Sequence, residues 1–279
     1  MHKDIKIIAL DLDGTLLDSN KNLSPANLAA LERAAQAGIE IVPTTGRFYG
    51  GMPECIRSLP FVNYAITING AQAQNLRTGE VIYKAEIPLD EAIDIMTYLD
   101  KLPVIYDCYM DNAGWMTADF KKQIDGMVRD GHYRKMLHEL RNDVPELKAF
   151  LREKGSDIQK TQFFTADMPL REKLLKELEG MFPDICVSSS TEQNVEINAS
   201  RANKGEALSA LARHLGCTDE NTMSFGDGLN DLSMIKSAGL GVAMANACDE
   251  VKASANYITD TNDNDGVMKA IEKFCFKEG

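Results

Sequence analysis

Two carboxylates one residue apart, Asp11 and Asp13, follow the short apolar run 5–10 and are followed by Gly14 and Thr15. Open α/β sheets bind ligands at the carboxyl ends of their strands, where such a run would place the pair. Alternate strand residues point the same way, so the two acids could share a face if the chain stayed extended. Gly14 points instead to a loop that curls around a ligand. A second acidic cluster, Gly226-Asp227-Gly228-Leu229-Asn230-Asp231, also ends an apolar strand and opens a helix. One Asp or Asn there is a common helix cap, but this cluster is richer than a cap requires. Asp11 and Asp227 at one sheet edge would supply two hard oxygen ligands and leave positions for water and phosphate oxygens, which suits Mg2+. No EF-hand spacing of acids suggests Ca2+. Donors for an anion come from Thr45 with the backbone N–H groups of Gly46 and Arg47, at an expected strand-to-helix turn. Lys204, after Asn203 at the start of an expected helix 204–214, adds positive charge. Taken singly, Thr45-Gly46 is a turn and Lys204 a solvated surface lysine, so the case rests on the combination.

The elements that must carry these residues alternate. The β-branched run 5–10 reads as a central strand buried on both faces. Ser24 caps a helix with Pro25 at its first position; Leu28, Leu31 and Ala35 share a face, and Gly38 stops it. Strands follow at 39–43 and 64–68, then a hairpin turning at Thr78-Gly79. The pattern returns with strands 222–226 and 240–243 around a helix over 230–237. This alternation predicts an α/β fold built on a doubly wound parallel sheet. Between 84 and 191 the texture changes to helices over 89–101, 119–141 and 169–179, with strands over 104–110, 159–165 and 185–190. Those strands alternate polar and apolar residues, as in a sheet covered on one face, so the segment reads as an inserted α+β domain. The core then comprises 1–83 and 192–279, with 84–191 as the insert.

At 279 residues the chain has room for two domains, and its 44% hydrophobic content is globular. A net charge of −12 opposes non-specific attraction to nucleic acid or an anionic membrane. No run approaches the ~18 apolar residues of a membrane span, and Met1-His2-Lys3-Asp4 is unlike a secretion signal. Cys55, Cys108, Cys186, Cys217, Cys248 and Cys275 form no CxxC pair, which indicates neither a zinc site nor a disulfide framework. The expectation is a reduced, cytoplasmic protein that binds neither nucleic acid nor membrane; oligomeric state is not legible.

In order and spacing, Asp11-Leu12-Asp13-Gly14-Thr15, Thr45-Gly46-Arg47, Lys204 and the 226–231 cluster resemble the four motifs of the haloacid dehalogenase-like phosphatases. Asn69-Gly70-Ala71 and the 241–247 stretch narrow the resemblance to the Cof-type branch, subfamily IIB, which carries a large cap between the second and third motifs. The resemblance implies a Rossmann-like core with the insert as a specificity cap. It implies that Asp11 is the nucleophile and Asp13 the acid/base; that Asp11, the Asp13 carbonyl and Asp227 hold Mg2+; and that the Leu12 backbone, Thr45, Gly46, Lys204 and Asn230 contact phosphate. Arg47 supports the second motif, and Asp231 orients Lys204 or a water. Pro43-Thr44 departs from the small or apolar residues usual before the motif Thr, which bears on strand geometry.

The implied activity is Mg2+-dependent hydrolysis of a small phosphorylated metabolite, a sugar phosphate, through an aspartyl-phosphate. A phosphomutase of the same superfamily would keep both acids and return the phosphoryl group to its substrate. A silent phospho-ligand-binding module would have no use for a nucleophile that repels its ligand. Among the remaining residues, Met234 and Met244 are expected to pack behind the active loops, and Tyr109 and Trp115 to be core aromatics before they are substrate contacts.

Overall fold

Ile7, Ile8, Ala9 and Leu10 are all closed to solvent. A strand buried on both faces belongs in the middle of a sheet, and Ile7–Leu10 lies inside a five-stranded parallel sheet, between Thr222–Gly226 and Glu40–Pro43. Leu240–Ala243 and Tyr257–Ile258 complete it beyond Thr222–Gly226. The computed structural model describes residues 4–189 and 191–276. Met1-His2-Lys3 and Ser190, the expected end of a strand, lie outside the described residues.

The chain divides into two units, the first holding 1–47, 52–84 and 203–279, the second 48–51 and 85–202. In the first unit, Ile7, Ala9 and Val42 pack beneath Leu208, Leu211 and Met234, on one face of the sheet. The other helical pair is Pro25–Gln36 with Gly266–Cys275, joined where Asn27 Oδ1 accepts from the Met268 N–H at 2.9 Å. Ser24 caps the first of these helices as expected, its hydroxyl accepting from the Asn27 N–H. The buried face is rotated from the expected one: Asn27, Ala30, Leu31 and Ala34 are buried, whereas Leu28 and Ala35 are half-exposed, because the partner helix meets the Asn27 side. Pro43 is accommodated because Glu40–Pro43 is an edge strand, where a missing N–H is harmless. Leu10 pairs with both Pro43 and Phe225, so the residues after all three strands emerge at one edge. Tyr64–Thr67 does not join this sheet as a full strand; it opens a three-stranded antiparallel sheet with Gln72–Asn75 and Val81–Lys84, turning at Gly79.

The second unit is a six-stranded sheet ordered Ile185–Ser188, Asn194–Ala199, Lys160–Phe164, Ile105–Met110, Ala113–Thr117, Arg141–Val144. Three of its strands fall where polar alternation predicts them; Ala113–Thr117, Arg141–Val144 and Asn194–Ala199 are additional, as is the helix Leu147–Lys154. The expected helix over 119–141 is three short ones, Ala118–Lys121, Ile124–Met127 and Gly131–Leu140. Asp130 breaks it by capping the last, accepting from the Tyr133 N–H. The polar alternation does not mark a solvent face either. Asp107, Lys160, Gln162 and Glu196 are buried, with exposures of 0, 1, 0 and 5%.

Candidate active site

Asp11 directly follows the central strand and stays beside it, its N–H bonded to the Phe225 carbonyl at 3.1 Å. The turn beyond it depends on Gly14, whose φ is +88°. A Cβ there would lie 2.5 Å from Asp227 Oδ2, so only glycine brings this loop against the second acidic cluster. Thr15 completes the join by donating its hydroxyl to Asp227 Oδ1 at 2.8 Å.

Lys204 is the first residue of the helix Lys204–His214, whose cap is Asn203, accepting from the Glu206 N–H. A cation at a helix N-terminus is at the unfavourable end of the dipole. This one is wholly buried nonetheless, with its Nζ 2.6 Å from Asp11 Oδ1 and 2.6 Å from Asp231 Oδ1. Burial alone would lower the Lys204 pKa, but the Asp11 and Asp231 carboxylates outweigh it and hold the ammonium above its ordinary range. The other oxygen of Asp231 accepts from the N–H groups of Asp227 and Gly228, each at 2.9 Å. Asp231 therefore fastens the lysine to the 226–231 loop.

Asp11, Asp227 and Asp231 bring carboxylate oxygens within 4.8 Å of one another. Burial pushes the Asp11 carboxyl well up; Lys204 opposes the shift, and the charges of Asp231 and Asp227 add to it. Burial, then the Asp231 charge, raises Asp227 to about 6. Crowded acids of this kind fit a divalent cation, which would relieve their repulsion. Since both oxygens of Asp231 are engaged, Asp11 and Asp227 are the side chains left to hold it.

These shifts fix a pH dependence. Between roughly pH 4, the unfolded carboxyl value, and about 6, folded Asp227 keeps a proton that the unfolded chain has released, so stability falls as pH rises through that window. Asp11 acts in the same sense. Asp13 is shifted down, so its contribution is complete above its unfolded value and offsets nothing there. The metal-free protein should melt lower at pH 7 than at pH 5. Mg2+ at ten to a hundred times Kd should restore roughly 1.4 to 2.7 kcal/mol at pH 7 and less at pH 5. Calorimetric melts at the two pH values, with and without Mg2+, test this; an equal Mg2+ effect at both would contradict it.

Asp13 has different surroundings. Its carboxylate accepts from Arg47 Nε at 2.8 Å and Arg47 Nη2 at 2.9 Å, and Lys21 Nζ lies 2.9 Å away. Burial pushes this carboxyl up, but Arg47 and Lys21 together overcome it and hold it below the ordinary range. With its side chain so engaged, the Asp13 carbonyl is what it can offer a metal.

The second motif departs from the expected cradle. The Thr45 N–H is bonded to the Ile66 carbonyl, and the Arg47 N–H donates to Thr45 Oγ1 at 3.2 Å. No α-helix follows directly; the chain makes a 310 turn at Tyr49–Gly51 and a four-residue helix, Glu54–Arg57. Leu12 has a fully buried side chain, so only its backbone can meet a ligand. Asn230 is exposed and donates to Asn69 Oδ1 at 3.3 Å. That same oxygen lies 2.7 Å from where a Cβ on Gly46 would stand, so Asn69 packs between the second and fourth motifs. Among the residues to which sequence reasoning assigned no role are Thr15, Lys21 and Asn69; the left-handed backbone of Asn69, φ 58°, is hinted at only by the Asn-Gly pair. Asn246, in the 241–247 stretch, donates to the Gly14 carbonyl at 2.8 Å. Met234 and Met244 are buried as expected.

A family model of haloacid dehalogenase-like hydrolases matches residues 8–271. The chain belongs to that family. It is 35% identical to the 5-amino-6-(5-phospho-D-ribitylamino)uracil phosphatase YcsE of Bacillus subtilis (strain 168), over 96% of this chain and 95% of that protein. A haloacid dehalogenase-like hydrolase from Bacteroides thetaiotaomicron superposes with a TM-score of 0.81 at 30% identity, covering 96% of this chain and 99% of that one. The subclass IIB sugar phosphatase BT4131 does so with 0.79 at 27% identity, covering 97% and 99%. With these relatives, the chain is a Cof-type phosphatase of small phosphorylated molecules. Among the described residues no helix is long and apolar enough to cross a membrane.

Proposed function

We propose that this phosphatase is Mg2+-dependent and hydrolyses a small sugar phosphate through an aspartyl-phosphate on Asp11, with the 84–191 insert selecting the substrate. The observation that carries the reading is the buried Asp11–Lys204–Asp231 chain beside Asp227 at the carboxyl edge of the parallel sheet. A carboxylate nucleophile and a phosphate dianion repel each other, and Lys204 supplies positive charge at the atom where they must meet. Asp11 and Asp227 would hold the Mg2+, which when bound neutralises charge on the transferring phosphoryl group. Asp11 Oδ attacks phosphorus as the bond to the leaving oxygen breaks. Asp13 gives that oxygen a proton, then takes one from the water that cleaves the acyl-phosphate. Arg47 and Lys21 favour the ionised form of Asp13, which is the form that accepts the second proton. An incoming phosphate dianion competes for Arg47 and so frees Asp13 to be protonated for the first step.

Thr45, Gly46, the Leu12 backbone and Asn230 complete the phosphate contacts in this reading. The acidic charge and unpaired cysteines support a reduced, cytoplasmic enzyme that acts on metabolites and not on nucleic acid or membrane. The test is phosphate release across a panel of phosphorylated metabolites. Activity should vanish in EDTA and return with Mg2+, because Asp11 and Asp227 otherwise repel each other and the substrate. Full turnover after exhaustive chelation would refute the metal dependence, and isomerised substrate without free phosphate would identify a mutase.

A further inference from the structure

The hairpin between Tyr64–Thr67 and Gln72–Asn75 turns at Asn69 and Gly70, with the Ala71 N–H bonded to the Ile68 carbonyl at 3.0 Å. Both central residues have positive φ, 58° and 93°, the two-residue turn that Asn-Gly favours. Local turn chemistry accounts for no more than that. Ile68 is also left-handed, at φ 54°, a conformation that a β-branched side chain resists. Turns ordinarily run over the surface, yet Thr67, Ile68, Asn69, Gly70 and Ala71 are all buried, and Thr67 Oγ1 has no hydrogen-bond partner. Strain and an unsatisfied hydroxyl persist where surrounding contacts over-determine them, and they gather at working sites.

The contacts around this turn come from three motifs. Ile68 donates its N–H to the Arg47 carbonyl at 3.0 Å, and Asn69 donates its N–H to the Thr45 carbonyl at 3.1 Å. A Cβ on Gly70 would lie 2.2 Å from the Asn203 carbonyl oxygen, so the bare glycine lets the turn abut the start of the helix Lys204–His214. The Asn69 side chain completes the set. Its Oδ1 stands 2.7 Å from where a Cβ on Gly46 would be, and it accepts from Asn230 Nδ2 at 3.3 Å. Asn230 in turn lies across Gly228, its Oδ1 2.8 Å from where a Cβ there would be. An exposed asparagine on a short turn would otherwise sample several rotamers, whereas this one is tied to Asn69. A side chain fixed before its ligand arrives removes an ordering cost from binding. The turn itself has no need of the amide, because glycine serves equally well at that position.

We propose that Asn69 is a positioning residue of the phosphatase, holding the Asn230 side chain beside Gly46 in the orientation that receives a phosphate group. This rests on the reading of Asn230 as a phosphate contact. The test is a double-mutant cycle of Asn69→Gly and Asn230→Ala, read by titration calorimetry of inorganic phosphate in Mg2+ and by steady-state kinetics. Asn69→Gly keeps the left-handed turn, so it should fold and melt close to wild type. It should weaken phosphate binding and raise KM by about 5- to 10-fold while leaving kcat within about 3-fold, because the lost bond aligns the phosphate and not the nucleophile. In the Asn230→Ala background the same substitution should change phosphate affinity by less than about 2-fold. A general loosening of the site would weaken binding by the same factor in both backgrounds. That result, unchanged affinity in Asn69→Gly, or a loss confined to kcat would overturn the proposal. Should Asn69→Gly not fold, wild type decides by nuclear magnetic resonance. The Asn230 side-chain amide protons, assigned by their loss in Asn230→Ala, should exchange with water more slowly than those of a free asparagine, and exchange at the free rate would overturn the proposal. If no ester releases phosphate, the phosphatase reading fails by itself. The phosphate titrations still decide the role of Asn69, and a wild type that binds no inorganic phosphate overturns it.

Discussion

Asp11→Asn enzyme is expected to trap no phosphate on acid quench and to lose turnover by at least about 10⁴-fold, because an amide is a poor nucleophile and any bound metal loses an anionic ligand. Asp13→Asn separates the two acids. It leaves the nucleophile and the backbone carbonyl in place, and removes the group now held by Arg47 and Lys21. General acid/base assistance is worth roughly 10² to 10⁴ in rate, and an acidic leaving group makes the acid half unnecessary. Asp13→Asn should therefore still form phosphoenzyme from an aryl phosphate while failing with an alkyl phosphate. Single-turnover acid quench with labelled esters of both kinds measures this. Label on the Asp11→Asn chain, or an Asp13→Asn variant equally impaired on aryl and alkyl esters, would show that the two roles are wrongly assigned.

Lys204→Met should be the most destabilising change at the site. It keeps most of the side-chain volume but leaves Asp11 and Asp231 buried without their shared cation. Removing one partner from a buried ion pair costs about 3 to 5 kcal/mol. The sign of its pH dependence follows from the shifts. In the wild type the lysine pKa is raised, so its contribution is intact below the unfolded lysine value and is lost only in alkali. In the variant, Asp11 loses its main opposing charge and rises further, so the folded form holds a proton that the unfolded chain releases above roughly pH 4. The deficit should be larger at pH 7.5 than at pH 5. Urea denaturation at both values, with phosphate release assayed alongside, checks it. A variant within about 1 kcal/mol of wild type at pH 7.5 would mean that Lys204 does not balance these acids, and one that keeps its activity would mean that it does not assist the reaction.

Much of the core was legible without coordinates. Ile7 to Leu10 read as a buried parallel strand because its whole signal is local, a β-branched run ending in acids and glycine. The helix Pro25–Gln36 was legible from Ser24, Pro25 and Gly38, since caps act within one turn. Three of the four motifs, 11–15, 45–47 and 226–231, were legible because turns at strand ends write their requirements into adjacent residues: glycine where φ is positive, acids and threonine where donors and acceptors must converge. The phosphatase chemistry is implied by the resemblance of these motifs to a known family and not by the turn requirements themselves.

Other features depended on residues far apart in the chain. The Thr15 hydroxyl meets Asp227 across a separation of 212 positions, and Lys204 meets Asp11 across 193. Nothing near Lys204 in sequence distinguishes a solvated lysine from a wholly buried one. The pairing of Asp13 with Arg47 and Lys21, and the placing of Asn69 between two motifs, likewise exist only once the loops converge. In the insert, alternation correctly signalled strands but misread their polar face, because period-two patterning reports which side chains share a face and not what covers that face. Asp107, Lys160, Gln162 and Glu196 are buried because their partners arrive from other strands, Arg141 among them. The sequence by itself determined the acids, glycines and caps at the strand ends, where the requirements are local. Only the tertiary structure decided which charges are buried and which of them balance, because burial and Coulomb energy depend on distance in space and not along the chain.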